Sequence, residues 1–366
     1  KEQLNMVFLS RIADLIDALA SRHRLLPWLI AYAMLLPLPF IMSTFFNSYL
    51  IDLANRCCLF ILLAVGLNIV KGFCGQVTVG HIGLYAIGAV TSAVLSLEPG
   101  GFGGALGFGL PVWVSIPIAV LVTAFAGLIV GLPSVRLEGA YLALATLGLG
   151  ESVRIFIAVT PALGSSTGLM MIPAPSIGSF VFDSFTSYYY LVMTAALVGI
   201  YFSFSILRSA TGRAFQAIRE DTIAASVNGI NVIKYTLVAV VLSAIYAGLA
   251  GALFAHMPPG YLHHNNFTVI EMVTLLLMVV LGGIGNVWGG VIGAIVVTIA
   301  YDQTKDLVVY FMDRPIVIQP LVFGLSMVLL VLFMPRGIGG WFEGVLRNRR
   351  FIKRSEEKLG GAARNS

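Results

Sequence analysis

Ten long apolar segments occupy most of this 366-residue chain and restrict what it can fold into. They cover residues 25–46, 51–70, 79–97, 111–132, 139–160, 187–207, 235–256, 269–281, 289–310 and 316–334. A membrane-spanning helix needs about 20 mainly apolar residues, and most of these segments reach that length. Only 11% of the residues are charged, against roughly 25% in soluble domains. The sequence therefore predicts an all-α, polytopic integral membrane protein with about ten transmembrane helices.

The distribution of basic residues predicts how these segments are oriented. Lysine and arginine concentrate in the cytoplasmic loops of membrane proteins. With residue 1 placed in the cytoplasm, 18 of the 22 lysines and arginines fall on that side. Arg56 and Arg154 fall within segments, and Lys305 and Arg314 fall on the opposite side. We therefore predict ten spans with both termini in the cytoplasm.

Three regions follow from this pattern. Residues 1–24 carry apolar side chains at helical spacing between charges, which is typical of an amphipathic cytoplasmic segment on the membrane surface, or of a simple tail. Residues 25–335 form the transmembrane domain, interrupted by a polar cytoplasmic loop at 208–234. Residues 336–366 form a basic cytoplasmic tail. The glycines between 282 and 290 allow either a short loop or a broken helix.

Small residues also recur every fourth position in two segments. Ala244, Gly248 and Ala252 form one stripe, and Gly285, Gly289 and Gly293 form another. Such stripes let helix backbones approach closely in lipid, where packing drives helix association. Plain helix packing is the simpler interpretation, and a moving interface is the alternative.

No site for ATP hydrolysis or other catalysis is visible in the sequence. A Walker-type phosphate loop requires a lysine directly after a glycine, and no lysine here follows a glycine. The five histidines lack metal-ligand spacing. The net charge of +5 comes from residues beside apolar segments, so it does not predict nucleic-acid binding. We expect a non-enzymatic chain that has no cofactor of its own and is surrounded by a lipid bilayer.

The loop at 208–234 is the most informative polar stretch. Thr211 can cap a helix N-terminus, and Gly229 can end a helix in the left-handed conformation. Phe215, Ile218 and Val227 give an apolar stripe between them. We predict a short amphipathic helix parallel to the membrane. A solvated connector is the alternative.

The motifs of this loop and of four other stretches resemble a known family. Residues 224–229 read Ala-Ala-x-x-x-Gly, and residues 212–221 read Gly-Arg-Ala-Phe-Gln-Ala-Ile-Arg-Glu-Asp. Both strings resemble the loop through which the permeases of branched-chain amino-acid ABC importers, of the LivM type in particular, dock onto their ATPases. Ile223 stands where such loops usually have glutamate. The stretches at 66–81, 136–154, 282–290 and 334–337 resemble further signatures of that family, in the same order.

The resemblance implies a permease subunit that alternates between inward- and outward-facing states in a prokaryotic inner membrane. It implies a homologous second permease, two cytoplasmic ATPases that bind ATP and magnesium, and an extracytoplasmic substrate-binding protein. The substrate would be a branched-chain amino acid, although family members also move urea, short amides and aromatic acids. The implied ATPase-coupling residues are Arg213, Ala217, Arg219, Glu220, Ala224, Ala225 and Gly229.

Polar side chains within the apolar segments are candidates for a translocation pathway or gate. Charges at membrane depth are costly and are usually paired or functional. Glu151 and Arg154 lie three residues apart and can form an ion pair on one helix face, or they can contact a ligand. Gln76, Thr78 and His81 lie among glycines that permit non-helical backbone. They are pathway candidates, with a tight turn as the alternative.

Asp52 and Arg56 can form a similar pair near one end of a span, and Glu271 is expected to be hydrated near the start of another.

Three other classes of protein remain open. An ion-coupled secondary transporter would place carboxylates or discontinuous helices at the midplane, and Glu151 is the only plausible central acid in the sequence. A passive channel for a small solute such as urea or an amide would need a selectivity motif, and none is visible. A membrane enzyme would need a clustered catalytic set.

Overall fold

The computed structural model describes residues 26–40, 48–76, 78–100, 106–134, 137, 139–304, 308–311, 314–317 and 319–333. The predicted amphipathic segment at 1–24, the basic tail at 336–366 and the motif at 334–337 lie outside these residues. Among the described residues, the helices of eight or more residues are α1 Leu26–Leu35, α2 Ser48–Asn68, α3 His81–Ser96, α4 Val112–Ser134, α5 Gly139–Val159, α6 Phe185–Leu207, α7 Ala210–Glu220, α9 Val232–Ala255, α10 Val269–Gly282, α11 Val287–Thr304 and α12 Gln319–Phe333. A shorter helix, α8, covers Thr222–Val227.

Helix length and apolarity confirm an all-α, polytopic membrane protein. Six helices of the described chain are long and apolar enough to cross a bilayer: α2 with its continuation to Phe73, α4, α5, α6, α9 and α11. Shorter apolar helices are α3, α10 and the Pro320–Leu329 part of α12. At 1.5 Å per residue, the 14 residues of α10 extend about 21 Å, which is less than the hydrocarbon core of a bilayer.

Two antiparallel hairpins interrupt the helical order. β1 Ser176–Ile177 pairs with β2 Phe180–Val181 between α5 and α6. β3 Val308–Phe311 pairs with β4 Arg314–Val317 between α11 and α12. The prediction of helix was therefore wrong at the end of segment 289–310 and at the start of segment 316–334. Valine, isoleucine, tyrosine and phenylalanine favour strands where no helix is required, and they dominate this hairpin.

Helix α2 lies in the interior of the fold. It packs against α6, α9, α10 and α11, and it continues past Asn68 into a π-helical turn at Ile69–Phe73. Helix α9 is the second central helix and contacts α2, α3 and α4. A helix surrounded by other helices is largely apolar on all faces, and the sequence of α9 follows this pattern. Helix α2 departs from it near its start, where Asp52, Asn55 and Arg56 are polar.

The small-residue stripe of α9 brings backbones into direct contact, as packing in lipid requires. A Cβ atom on Gly88 of α3 would lie 2.7 Å from the Cα of Gly248 on α9. A Cβ atom on Gly251 would collide with the carbonyl oxygen of Tyr85 and lie 2.8 Å from the Ala89 nitrogen. The simpler interpretation of this stripe, helix packing, agrees with these contacts.

Helices α10 and α11 form a hairpin around a short turn at residues 283–286, so the region 282–290 contains a loop between two helices rather than a break within one. A Cβ atom on Gly282 would collide with the Gly289 carbonyl oxygen, and one on Gly293 would collide with that of Met278. Gly285 lies in the turn and has a φ of +86°. The predicted stripe of Gly285, Gly289 and Gly293 is therefore wrong at its first member.

Gly251→Ala tests the contact between α3 and α9. The added methyl group meets backbone atoms that cannot rotate away, so we expect a loss of about 1–3 kcal/mol in stability. Gly148→Ala on α5 is the control, because no atom lies within 4 Å of its Cβ position. Thermal melting of the purified chain in detergent should show a lower Tm for Gly251→Ala only. Equal Tm values for the two variants would contradict the packing.

Candidate functional site

The loop at 208–234 folds into two helices rather than the predicted single one. α7 ends at Glu220, and Asp221 adopts an extended conformation with φ −159°. Its Oδ1 atom accepts hydrogen bonds from the backbone N–H groups of Ile223 (2.8 Å) and Ala224 (2.9 Å). A short acidic side chain that caps a helix start competes with continued helix, and this explains the break.

Of the two predicted ends of the loop helix, the start is wrong and the end is confirmed. Thr211 is not the cap, because α7 begins at Ala210 and Ser209 precedes it without a side-chain capping bond. Gly229 does end α8 in the left-handed region, with φ +81°. The N–H of Gly229 bonds to Ser226 O (3.0 Å), and the N–H of Ile230 bonds to Ala225 O (3.0 Å). This is a Schellman motif, in which a glycine avoids the strain of a side chain.

The apolar side chains of the loop point in two directions. Phe215 and Ile218 of α7 are buried, and the Phe215 ring packs edge-on against Tyr235 of α9 at 6.5 Å. On α8, Ala225 is buried, whereas Val227 is 81% exposed and Ile223 is 75% exposed. The prediction that Val227 belongs to the Phe215 stripe is wrong, because the break at Asp221 rotates α8 relative to α7.

The remaining predicted coupling residues divide by exposure. Arg213 and Glu220 are exposed on α7, and Ala217 is half-buried. Ala224 is exposed on α8. The Arg213 side chain makes a long contact, at 3.4 Å from its Nη1 to the Arg208 carbonyl oxygen.

Arg219 connects this loop to the transmembrane bundle. Its Nη1 atom donates to the carbonyl oxygen of Gly72, in the π-helical turn that continues α2. The same nitrogen lies where a side chain on Gly285 would be. Because a carbonyl at the end of a helix has no partner within that helix, a guanidinium is a suitable donor for it.

Asn68 closes the same cluster from the other side. Its side-chain amide donates to Asn286 O (2.8 Å), and its Oδ1 accepts from the Gly285 N–H (3.0 Å). Asn68 is buried, and Gly72 leaves no space for a side chain beside it. We call Asn68, Gly72, Arg219, Gly285 and Asn286 the Arg219 joint. It ties α7 to the end of α2 and to the turn between α10 and α11.

The predicted pathway residues do not converge on one site. Gln76 and Thr78 are half-buried in the segment that precedes α3. His81 is buried, with Nδ1 3.1 Å from the Ser243 Oγ of α9. These positions agree with packing, and they also leave the pathway hypothesis open to a test.

Glu151 and Arg154 form the predicted ion pair on α5. Arg154 Nε donates to Glu151 Oε1 at 2.8 Å, and a second guanidinium nitrogen contacts the same oxygen. Both side chains are about one quarter exposed, at 28% and 23%. Partial burial, the neighbouring His263 and the charge of Arg154 lower the pKa of His264 in the loop before α10. Helix α5 also packs against the 3-10 helix His264–Phe267 in that loop.

Within the residues that the structure describes, no three histidine, cysteine, aspartate or glutamate side chains are grouped so that they could hold a metal ion.

Comparison with known proteins places the chain in a family. A family model described as "Branched-chain amino acid transport system / permease component" matches residues 49–332. The chain belongs to this permease family. It is 34% identical over 312 residues to the high-affinity branched-chain amino acid transport system permease protein LivM of Escherichia coli, covering 79% of this chain and 69% of the relative. LivM of Salmonella typhimurium matches with the same identity and coverage.

The name of a more distant relative refers to a different solute. The nucleoside ABC transporter permease protein NupC of Lactococcus lactis is 25% identical over 292 residues, covering 74% of this chain and 87% of the relative. No solved structure matches the chain. The resemblance to LivM-type permeases inferred from the motifs is confirmed.

The structure explains why three of the quoted motifs matter together in this permease. The stretches at 66–81, 212–221 and 282–290 each supply a member of the Arg219 joint. Sequence reasoning named Arg219 but missed Asn68 and Asn286. Both asparagines lay within quoted motifs, so a polar residue inside each glycine-rich string was the available signal.

The Glu151–Arg154 pair should stabilise this permease. Arg154→Ala leaves the carboxylate without its charged partner, so we expect a loss of about 1–3 kcal/mol and a lower membrane yield. Glu151→Gln combined with Arg154→Gln should recover much of the loss, because no charge is left unpaired. Thermal melting of the three proteins measures this. A stable Arg154→Ala variant with altered substrate preference would instead favour a pathway role.

Proposed function

We propose that this chain is a permease subunit of an ABC importer that moves branched-chain amino acids, or a similar small amphipathic solute, across a prokaryotic inner membrane. Family membership and the 34% identity to LivM proteins support the branched-chain substrates. The similarity to a nucleoside permease is weaker, at 25% identity.

The partners are proposed on the same basis. The transporter would contain a homologous second permease subunit, two cytoplasmic ATPases and an extracytoplasmic substrate-binding protein. ATP and magnesium would bind to the ATPases, and this chain would act as a non-enzymatic subunit. We further propose ten spans with both termini in the cytoplasm, which the distribution of lysine and arginine supports.

The observation that carries the proposed contact with an ATPase is the pair of exposed apolar side chains on α8. Ile223 and Val227 are four residues apart, so they lie on one face of the helix, and Ala224 is exposed beside them. Apolar residues grouped on a short polar loop indicate a protein interface. Small Ala224 would let a partner surface approach the helix closely. We propose that this face docks into an ATPase.

The Arg219 joint would carry the resulting movement into the membrane. α7 is anchored by buried Phe215 and Ile218, and Arg219 bonds to the end of α2. A displacement of α8 by the ATPase would therefore move α7, α2 and the turn between α10 and α11 together. Since α2 lies at the centre of the bundle, its displacement would reach the helices around it.

Ile223→Asp combined with Val227→Asp tests the docking face. Two charges on an apolar interface should abolish uptake and leave ATP hydrolysis unresponsive to loaded binding protein, because docking must then bury unpaired carboxylates. Ile223→Leu combined with Val227→Ile is the matched control and should retain most activity. Reconstituted vesicles that contain the whole transporter provide both measurements. Normal stimulation of the ATPase in the double aspartate variant would rule out this face as the contact.

Arg219→Ala tests the joint separately from docking. The Gly72 carbonyl loses a charged donor, so we expect uptake to fall roughly tenfold or more, at the 1.5–3 kcal/mol typical of such a bond. ATPase subunits should still copurify, because the α8 face is unchanged. Arg208→Ala is the control, since its guanidinium lies over the Phe204 ring at 5.9 Å and is not part of the joint. Wild-type uptake with Arg219→Ala would contradict the transmission role.

A further inference from the structure

A cavity of about 90 Å³ lies at the end of the bundle opposite the Arg219 joint. Its walls come from α2, α3, α9, α10, α11 and the short 3-10 helix His264–Phe267. We call it the Arg56 cavity, because Arg56 of α2 lines it together with Glu271 of α10 and Asp302 of α11. A cavity needs about 10–15 Å³ to hold one water molecule, so this cavity has room for roughly six to nine groups of that size. A branched-chain amino acid is of that size.

The position of Arg56 indicates that the cavity is accessible to water or to a polar solute. Arg56 follows the first residue of α2, Ser48, by eight positions, which places it about 12 Å along the helix. Its side chain is nevertheless 47% exposed. Arginines within apolar membrane helices usually face protein or a water-filled cavity rather than hydrocarbon. The predicted pairing with Asp52 is present, at 3.0 Å from Nε to Oδ2.

The cavity has charges of both signs on different walls. The Arg56 guanidinium lies on α2, and the carboxylates of Glu271 and Asp302 lie on α10 and α11. Glu271 was expected to be simply hydrated, but the hydroxyl of Tyr301 donates to its Oε1 at 2.6 Å. Asp302 is only 8% exposed. Carboxylates that line a cavity in this way are suited to bind a cationic group.

The rest of the lining is largely apolar. Leu59 of α2, Ile82 of α3 and Phe254 of α9 contribute side chains, and all three helices belong to the buried core. Pockets that combine an apolar wall with a few polar groups are typical of small-molecule sites.

We propose that the Arg56 cavity binds an amino-acid zwitterion. The carboxylates of Glu271 and Asp302 hold the ammonium group, Arg56 faces the ligand carboxylate, and the apolar wall of Leu59, Ile82 and Phe254 contacts the aliphatic side chain. The inference rests on the proposed function, because it assigns a site to the proposed substrate. It places this site within one permease subunit, in the half of the bundle remote from α7 and α8.

The test is binding of radiolabelled leucine to the purified complete transporter in nanodiscs, in the absence of binding protein. Glu271→Gln and Asp302→Asn should each raise the leucine Kd at least tenfold. Asp183→Asn is the control, because it removes an exposed acid that does not line the cavity. Valine should displace leucine from the wild-type transporter. Analogues that lack either the ammonium group (4-methyl-2-oxopentanoate) or the carboxylate (isoamylamine) should displace it poorly.

A second measurement keeps the test decisive if a charge variant fails to fold. In a chain with Cys57, Cys58 and Cys74 replaced by alanine, an Asn266→Cys thiol in the cavity lining should be labelled by a maleimide, and leucine should protect it. Sodium chloride compared with choline chloride distinguishes an inorganic cation from the amino acid. Protection by sodium alone would overturn the proposal. So would unprotected labelling, or an unchanged Kd in the Glu271 and Asp302 variants.

The failure of this inference can be distinguished from the failure of the proposed function. A transporter that takes up leucine from its binding protein with ATP, but shows no leucine protection at the cavity, would retain its function and lose this site. A wild-type transporter that takes up no branched-chain amino acid would contradict the proposed function itself.

Discussion

Direct contact between helix backbones is the constraint on which the rest of this structure depends. In lipid, apolar side chains gain little by leaving one apolar environment for another, so helices associate through close packing and polar contacts. Gly88 and Gly251 have no room for a side chain, because the facing helix backbone occupies that space. These contacts hold α3 and α9 together and leave α2 enclosed by α6, α9, α10 and α11.

Because α2 is enclosed by other helices, the polar cluster at its end links the centre of the bundle to the loop outside it. The π-helical turn and the glycine-rich turn after α10 expose backbone groups that have no partner within a helix. Asn68 and Arg219 supply the missing donors and acceptors. Since one of these side chains comes from α7, the loop outside the bundle is bonded to the helix at its centre. A permease driven by a separate motor subunit requires a connection of this kind.

Two pairs of charged side chains within apolar helices of the described chain follow the same pattern. Glu151 is paired with Arg154 on α5, and Asp52 is paired with Arg56 on α2. Pairs three or four residues apart form within a single helix, so they neutralise charge without help from another element. Glu271 differs, because its bond to Tyr301 joins α10 to α11 across the cavity. That contrast distinguishes charges that serve one helix from charges that line a shared space.

The sequence by itself determined the fold class, the family, the two helix-internal ion pairs and the left-handed end at Gly229. Each depends on composition or on residues a few positions apart, and local spacing reports such features directly. Tertiary structure decided the rest. Asp221 breaks the predicted loop helix and turns Val227 outward, because capping competes locally with helix continuation. Asn68, Arg219 and Asn286 meet although they are far apart in the chain. Such contacts depend on how the helices pack, and the apolar pattern of a membrane helix enclosed on all sides does not reveal which neighbour each face will meet.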